Sequence, residues 1–410
     1  MRILYLSQYF PPEAGATQTR AYEMASNWTR MGHSVTMLTE FPNHPSGVIP
    51  PQYKGRLFER ELWQGMEIMR VWVKASPIKN FRNRMLFYLS YMVNAIISGL
   101  LLAKGKYDFI YATSPPLFVG AAALVISYLR RIPLVFEIRD LWPESAIALG
   151  ELTNPGAIAM SAWLEERCYQ RAVQLVVVTQ GIRTKLITRG ISPEKMIIIP
   201  NGANTDMFRF LISERQQLRQ ELNLEQKFVA IYAGIHGLAQ GLETILEAAR
   251  LLQSSSEIHF LMIGDGPKKE ELLSKAGQYN LSNLTLLPEK ARELMPSYLS
   301  AADIALIPLR KMEIFKGALP SKIFDAWACE RPVLISIAGE AREVVESVHG
   351  GIFISPESPE EMANALLELK NRLDELNTMG KNGREYTVQT HSRKALAEKL
   401  ITHLEKVVEY

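Results

Sequence analysis

The chain has 410 residues, 47% apolar and 22% charged, enough for more than one buried core and unlike a disordered or collagen-like chain. Its two cysteines, Cys168 and Cys329, and its seven scattered histidines argue against a disulfide framework and offer no ligand-spaced set for a metal. The net charge of +3 hides an asymmetry: residues 1–190 hold 21 Lys and Arg against 13 Asp and Glu, about +8, and the remainder is about −5.

Met1 to Ser7 is too short an apolar run for a secretory signal and reads as a first strand. A helix-period stretch follows with Ala21, Met24, Ala25 and Trp28 on one face, stopped by Gly32, and Val35–Leu38 is the next strand. Met85–Ala103 carries no charge over 19 positions and is preceded by Lys79, Arg82 and Arg84. It is long enough to span a bilayer. A span, however, would put strands of one sheet on opposite sides of the membrane. That leaves a packed helix or an interfacial helix docking on anionic lipid.

Runs at Phe109–Ala112, Leu134–Ile138, Leu175–Thr179 and Met196–Ile199 continue the strand–helix alternation. The rhythm restarts after Asn201-Gly202 with a helix-prone segment, Glu214–Gln226. Strands then follow at Phe228–Ala233, His259–Ile263, Leu284–Leu287, Ile304–Ile307, Val333–Ile335 and Gly351–Ile354. Continuous Val/Ile-rich runs separated by helices predict an α/β fold of two serial Rossmann-like domains, each with a parallel sheet covered on both faces. The domains are residues 1–200 and 201–392, with the hinge near Pro200–Asp206 and a last helix, about 393–410, packing back on the first domain.

Ligands on such sheets bind beyond the carboxyl ends of strands, so the loops there carry the candidates. In Phe10–Arg20, prolines fix the entry and Gly15 lets backbone approach a ligand at the start of the next helix. Alone, this loop also reads as an ordinary strand-to-helix turn. Glu137-Ile-Arg-Asp-Leu-Trp-Pro-Glu144 sets three carboxylates, an arginine and a tryptophan beyond a strand end. Asp140 suits a base or a hydroxyl-orienting group and Arg139 suits anionic charge, with a solvated ion-pair cluster as the alternative. Tyr232–Leu242 is punctuated by glycines that present amides to phosphate, but it is neither a Walker loop nor a dinucleotide fingerprint. Gly264-Asp-Gly266 reads as a structural turn.

The richest segment is Leu306–Val333, a strand and a basic loop before Pro320-Ser321 opens a helix. Free amides there, with Lys316 and Lys322, suit a diphosphate, and Asp325 one turn on suits ribose hydroxyls. A capped amphipathic helix with solvated lysines is the alternative.

In order, the Phe10–Arg20 loop, Asn201-Gly202, Gly234, Gly264-Asp-Gly266 and Pro320–Val333 resemble the retaining glycosyltransferases of family 4. Those enzymes have the GT-B architecture, two Rossmann-like domains facing across a cleft, and the likeness covers essentially the whole chain. Asp140-Leu-Trp-Pro-Glu144 and Pro320-Ser-Lys322 are similar to the branch that builds bacterial surface polysaccharides, including fucosamine-type transferases. The resemblance implies a donor site in which Gly15 lies near the phosphates and Gly234 faces the diphosphate. Leu287 would lie beside the base, Ser321 and Lys322 would bind phosphate, and Asp325 would take the ribose. Gln240 and Lys316 complete that set. On the acceptor side it implies Glu13, Asp140 and Glu144, with Asp140 and Arg139 in the catalytic roles and neither metal nor other cofactor.

Three departures stand out. Many members have His-Asp where this chain has Arg139-Asp140, so the acceptor-side role moves to Asp140. The Arg that usually follows the glycine matching Gly234 is absent, as is the Lys usually found at Gln240. Lys316, Lys322 or Arg310 must then neutralise the leaving group. The usual Glu-x7-Glu pair reads Gly317 and Asp325.

The activity implied is transfer from a nucleotide-sugar, UDP ahead of GDP, to a lipid-linked saccharide in polysaccharide biosynthesis. It would take place in the cytoplasm at the inner face of the plasma membrane, where the basic N-terminal half meets an anionic surface. No helix-turn-helix or RNA-binding signature points to nucleic acid as a partner. A nucleotide-sugar epimerase and a non-catalytic sugar-nucleotide-binding protein share the architecture and stand as alternatives.

Overall fold

The computed structural model describes every residue except Ala14, Pro45, Lys79, Glu409 and Tyr410, so the basic flank at Lys79 and the last two residues of the expected terminal helix lie outside the described residues. The chain divides into two compact units, Met1–Pro200 with Lys394–Tyr410, and Asn201–Arg393.

In the first unit, strands β1 (Arg2–Leu6), β2 (Ser34–Glu40), β3 (Phe58–Trp63) and β4 (Met66–Val71) are followed by β5 (Phe109–Ser114), β6 (Leu134–Ile138), β7 (Gln174–Val177) and β8 (Met196–Ile198). Among the described residues they form one sheet in the order β3-β4-β2-β1-β5-β6-β7-β8. Its pairings are parallel except at β3–β4, which corrects the all-parallel expectation. That hairpin turns on Gln64 and Gly65, both at positive φ (50° and 80°), the backbone that a two-residue hairpin turn needs. The edge strand β3 is half exposed and carries Glu59-Arg60-Glu61 in succession, so it gives no continuous apolar run.

Successive strand residues face opposite sides. Leu4, Leu6, Ile110, Ala112, Leu134, Phe136 and Leu175 therefore pack against one helical layer. That layer is α2 (Phe81–Leu101), α3 (Leu117–Arg130), α5 (Pro155–Arg171) and α6 (Gln180–Thr188), with the short α4 (Glu144–Ala148) after β6. Ile3, Tyr5, Phe109, Tyr111 and Val135 face the opposite side, where α1 (Ala16–Arg30) buries Ala21, Met24, Ala25 and Trp28.

The charge-free segment is helix α2, and it packs by one face only. Asn80 caps its start, its side chain accepting from the Asn83 N–H at 2.9 Å. Tyr91, Ala95, Ser98 and Gly99 are buried, and the absence of a side chain at Gly99 admits Ile126 of α3. Leu86, Leu89, Val93, Ile97 and Leu101 remain exposed. With a mean hydropathy of 1.3 it has the length and composition of a membrane span, yet it is an element of the sheet's covering layer.

The second unit opens with α7 (Ile212–Glu221) and β9 (Phe228–Ala233), then alternates α8 (Glu243–Leu251), β10 (Ile258–Ile263), α9 (Lys269–Gln278), β11 (Leu284–Leu287), α10 (Met295–Ala301) and β12 (Ile304–Pro308). It continues through α11 (Ser321–Ala328), β13 (Val333–Ser336), α12 (Glu340–Val348), β14 (Gly351–Phe353), α13 (Pro359–Leu369) and α14 (Leu373–Thr390). The sheet order is β11-β10-β9-β12-β13-β14, all parallel. The strand order reverses between β9 and β12 here, and between β1 and β5 in the first unit. Loops diverge at such points and leave a crevice at the carboxyl ends.

The last helix, α15 (Arg393–Val408), completes the first unit. Its Leu396, Ala397, Leu400, Ile401 and Leu404 join the core of Ile3, Tyr5 and Trp28, and Trp28 Nε1 donates to the Ala397 carbonyl at 3.0 Å. Leu400→Ala is expected to destabilise the first unit by about 2–5 kcal/mol, the range for emptying a buried leucine site. The check is its urea midpoint, with that of the second unit unmoved; an unchanged first-unit midpoint would mean α15 contributes little to that core.

Candidate active site

In the second unit the loop after β9 runs from Gly234 to Leu242 and carries the first site. Gly234 sits at φ 142°, and a Cβ there would collide with the end of the Lys322 side chain. A Cβ on Gly264, at φ 153°, would collide with the Gly234 carbonyl. The two loops therefore approach backbone to backbone, which only glycine permits at these torsions. Gly264-Asp-Gly266 thus sets the position of the loop beside it.

Lys322 enters this space from the first turn of α11, where Pro320 precedes the helix and Ser321 begins it. Its Nζ donates to the Tyr232 hydroxyl at 2.7 Å and lies 4.0 Å from the Tyr232 ring centroid. Burial pulls the Lys322 ammonium down to about 7, against a smaller upward pull from Asp325 on the same helix. The protein offers this lysine no carboxylate at salt-bridge distance among the described residues. A half-desolvated ammonium beside helix-start amides is arranged to receive an external anion.

Three further groups surround the loop. His236 is fully buried, and neither ring nitrogen has a hydrogen-bond partner among the described residues. Burial, then Lys269 and Lys322, lower the imidazole to about 4, so it is neutral. Lys269 is committed to backbone, donating to the Gly264 and Leu287 carbonyls at 3.1 and 3.0 Å, which ties Leu287 at the end of β11 to this loop cluster. Gln240 folds over Gly237.

The other candidate cations point elsewhere. Lys316 pairs with Glu313 at 2.6 Å with its side chain largely exposed. Arg310 lies 3.7 Å from Glu357, although its backbone N–H donates to the Ala239 carbonyl of the loop at 2.9 Å. Of the three lysine and arginine candidates, Lys322 is the one held against Gly234.

In the first unit Glu137 departs from expectation. It is the fourth residue of β6 and fully buried, so it belongs to the sheet and to no solvated cluster beyond it. Its carboxylate accepts from Arg20 Nε at 2.9 Å and from the hydroxyls of Tyr111 and Thr113, both at 2.7 Å. Burial alone would push this carboxyl up, but Arg20, Arg139 and those hydroxyls together hold it below the usual range.

Arg139 is nearly buried, 4.0 Å from Glu137, and donates through Nη2 to Thr17 Oγ1 at 2.9 Å and to the Pro115 carbonyl at 3.1 Å. It does not clamp Asp140. The Asp140 carboxylate accepts instead from Ser145 and the Leu141 N–H. Desolvation by surrounding protein raises the Asp140 carboxyl although the residue as a whole stays exposed. Glu144 starts α4 and pairs with Lys185 at 3.1 Å and Arg189 at 3.6 Å. Gly15, at φ 148°, precedes α1, with the Gln18 side chain folded over it.

Glu13 sits apart from Asp140, beyond the end of β2. Its Oε1 accepts from the Asn43 and His44 N–H groups at 2.5 and 2.7 Å, and its buried Oε2 has no partner among the described residues. Beside it, Glu40 accepts from Gln8 and Asn43, each at 2.8 Å, and burial pushes its carboxyl well up. Sequence reading missed Glu40, Gln8, Asn43, Tyr232 and His236; the one signal available was a polar residue at a strand end. Among the described residues no group of three His, Cys, Asp or Glu side chains is placed to hold a metal ion.

The comparisons cover both units. The glycosyl transferase 4-like domain family matches residues 15–202, and the glycosyl transferases group 1 family matches residues 214–386. The chain is 25% identical to WcaI of Escherichia coli K12, named for glycosyl transfer in colanic acid biosynthesis, over 98% of this chain and all of that one. It is 23% identical to the alpha-D-kanosaminyltransferase of Streptomyces kanamyceticus over 68% of this chain and 73% of the relative. Among solved structures, Anabaena HepE in complex with UDP and glucose aligns with a TM-score of 0.74 at 19% identity, covering 98% and 99% of the two chains. WaaG, a glycosyltransferase involved in lipopolysaccharide biosynthesis, aligns at 0.70 and 17% identity, covering 97% and 98%. The structural likenesses carry the fold, and the matches across both units carry the family: the chain belongs to the family 4 glycosyltransferases, with the GT-B fold.

Proposed function

We propose that this glycosyltransferase moves a sugar from a nucleotide-sugar, with UDP as the nucleotide, to a lipid-linked saccharide in polysaccharide biosynthesis. Transfer proceeds with retention of anomeric configuration and without a metal ion. The observation that carries the reading is Lys322, held against Gly234 at the crevice between β9 and β12 with no carboxylate at salt-bridge distance among the described residues. Lys322 and the Ser321 amide receive the diphosphate, and Asp325 takes the ribose. HepE, which shares the fold, was solved with UDP-glucose, and WcaI carries a polysaccharide role in its name.

The acceptor hydroxyl oxygen bonds to the anomeric carbon as the bond to the departing phosphate breaks, and that phosphate takes the hydroxyl's proton. Asp140 orients the hydroxyl, while Lys322 stabilises the leaving charge electrostatically. Arg139 is braced by Thr17 and Pro115 beside the acceptor. The protein works in the cytoplasm, peripherally on the inner face of the plasma membrane. Support for that placement comes from the exposed stripe of α2 and the basic residues Arg82, Arg84 and Arg131 of this unit.

Three measurements test this reading. UDP-glucose, whose diphosphate does not titrate near neutrality, should bind without metal in the presence of EDTA. Because bound phosphate favours charged Lys322, affinity should be full below pH 7 and fall as pH rises through about 7. Lys322→Met should weaken binding roughly 10- to 150-fold, the worth of a charged hydrogen bond of about 1.5–3 kcal/mol, and flatten the pH profile. A pH-independent affinity that Lys322→Met leaves unchanged would remove Lys322 from the donor site.

Asp140→Asn should lower acceptor-dependent release of nucleoside diphosphate by about 100-fold, the scale of a misoriented reacting group, with UDP-glucose binding intact. Full turnover in that variant would sink the Asp140 role. Rearrangement of the sugar nucleotide without any acceptor would make the protein an epimerase.

Vesicles containing phosphatidylglycerol should bind the protein at low salt and release it as salt rises. Val93→Glu should weaken that binding. A protein indifferent to such vesicles would rule out the peripheral placement.

A further inference from the structure

The first unit holds a cavity of about 170 Å³ that the donor chemistry does not use. It lies where the strand order reverses between β1 and β5, the crevice position for a ligand in a parallel sheet. Tyr9 follows β1, Pro115 and Phe118 follow β5, and Trp142 and Ala146 follow β6. Met85 and Tyr88, in the first turns of α2, close the remaining side.

Part of the polar lining is engaged with neighbouring protein. Tyr9 and Tyr88 lie close enough for each to perturb the other's hydroxyl. Arg84 pairs with Glu151 at 3.1 Å, and Thr17 Oγ1 accepts from Arg139. The larger part of the wall is ring and aliphatic carbon, including Tyr88 and Phe118 stacked with centroids 5.8 Å apart, with Thr17, Arg84 and Glu151 as its polar part.

An apolar cavity of about 150 Å³ admits benzene, so this volume suits one five-carbon unit. The cavity also has an apolar exit. From Met85 at its wall, Leu89, Val93, Ile97 and Leu101 follow at four-residue intervals along α2, and all four are exposed. That track is about 24 Å long at the helical rise of 1.5 Å per residue. At the other end lies Arg139, its Nε 4.0 Å from the Glu137 carboxylate and its Nη2 donating to Thr17 and Pro115 of the lining; with Arg20 also on Glu137, the group carries one net positive charge.

We infer that this cavity binds the first isoprene unit of a prenyl-diphosphate-linked acceptor. The diphosphate lies on the Arg139 side, and the rest of the prenyl chain leaves along the exposed stripe of α2. This inference rests on the lipid-linked acceptor proposed above and names the group that recognises the lipid.

The test uses the full chain and geranyl diphosphate, with inorganic diphosphate as its lipid-free counterpart, titrated by calorimetry. Geranyl diphosphate should bind roughly 30-fold tighter or better, the effect of burying one isoprenyl group. Met85→Glu at the cavity wall and Ala146→Phe within it should each erase that preference while leaving inorganic diphosphate binding and UDP-glucose binding unchanged. Equal affinities for the two probes, or a preference that survives both variants, would overturn the assignment. So would displacement of geranyl diphosphate by D-glucose, which would make the cavity a sugar site. If the wild type transfers sugar and binds UDP-glucose but shows no prenyl preference, the cavity assignment alone fails. Loss of nucleotide binding as well would take the transferase reading down with it.

Discussion

A carboxylate inside a parallel sheet must be neutralised where it stands, and the way Glu137 is neutralised fixes the working end of the first unit. Arg20 reaches it from α1, Tyr111 and Thr113 from β5, and Arg139 from just beyond β6. Arg20 also donates to the carbonyls of Ile199 and Pro200, where the chain leaves the unit. One buried charge thus sets the start of α1, the ends of β5 and β6 and the exit strand relative to each other. Apolar residues of equal volume often do as well for stability as a buried ion pair, whereas removing one partner costs several kcal/mol. The value of this network is therefore positional. It holds Arg139 inward against Thr17 and Pro115, and it leaves Asp140, one residue on, facing solvent at the crevice.

The second unit reaches a comparable result with backbone in place of buried ions. Gly234 and Gly264 bring two loops closer than any side chain would allow, and the space so made is taken by the end of Lys322. The lysine is there because α11 starts at Ser321, and its charge is poised because burial and the Tyr232 ring replace water around it. Rigid placement of a half-desolvated cation means little reorganisation is needed when an anion arrives. The missing Arg and Lys of the family pattern thus do not empty the site of positive charge. Lys322 and the backbone-bound Lys269 bring positive charge to the same loop cluster.

These two devices differ in how far they could be read from sequence. The six strands of the second unit and most of the first were legible because buried parallel strands are continuous apolar runs, and Lys322 stood out because Pro320-Ser321 opens a helix whose free amides suit an anion. The β3–β4 hairpin was not read: Glu59, Arg60 and Glu61 interrupt the apolar pattern on a half-exposed edge strand, though the Gln64-Gly65 turn was there to find. Glu137 was noticed but misplaced, because a charged residue next to Arg139 and Asp140 looks solvated until its partners at Arg20 and Tyr111 are known. Those partners lie 117 and 26 residues away in the chain. Glu40 and His236 were missed for the same reason. A single polar residue at the end of an apolar strand acquires meaning from what surrounds it, and sequence periodicity carries no record of that.

Helix α2 shows how one segment can answer to three constraints at once. Its inner face needs small residues, and Ala95, Ser98 and Gly99 supply them where Ile126 presses in. Its first turns wall the cavity with Met85 and Tyr88. Its outer face, at Leu89, Val93, Ile97 and Leu101, stays exposed. Soluble proteins rarely keep so long an apolar stripe in water, because such patches promote association. Leu101 is 73% exposed and Val93 48%, so burial within this unit does not explain them. An apolar face with no partner in its own fold is best accounted for by a partner outside it. The stripe begins at the wall of a largely apolar cavity, and the prenyl chain proposed above would satisfy both, lying along the helix and ending inside.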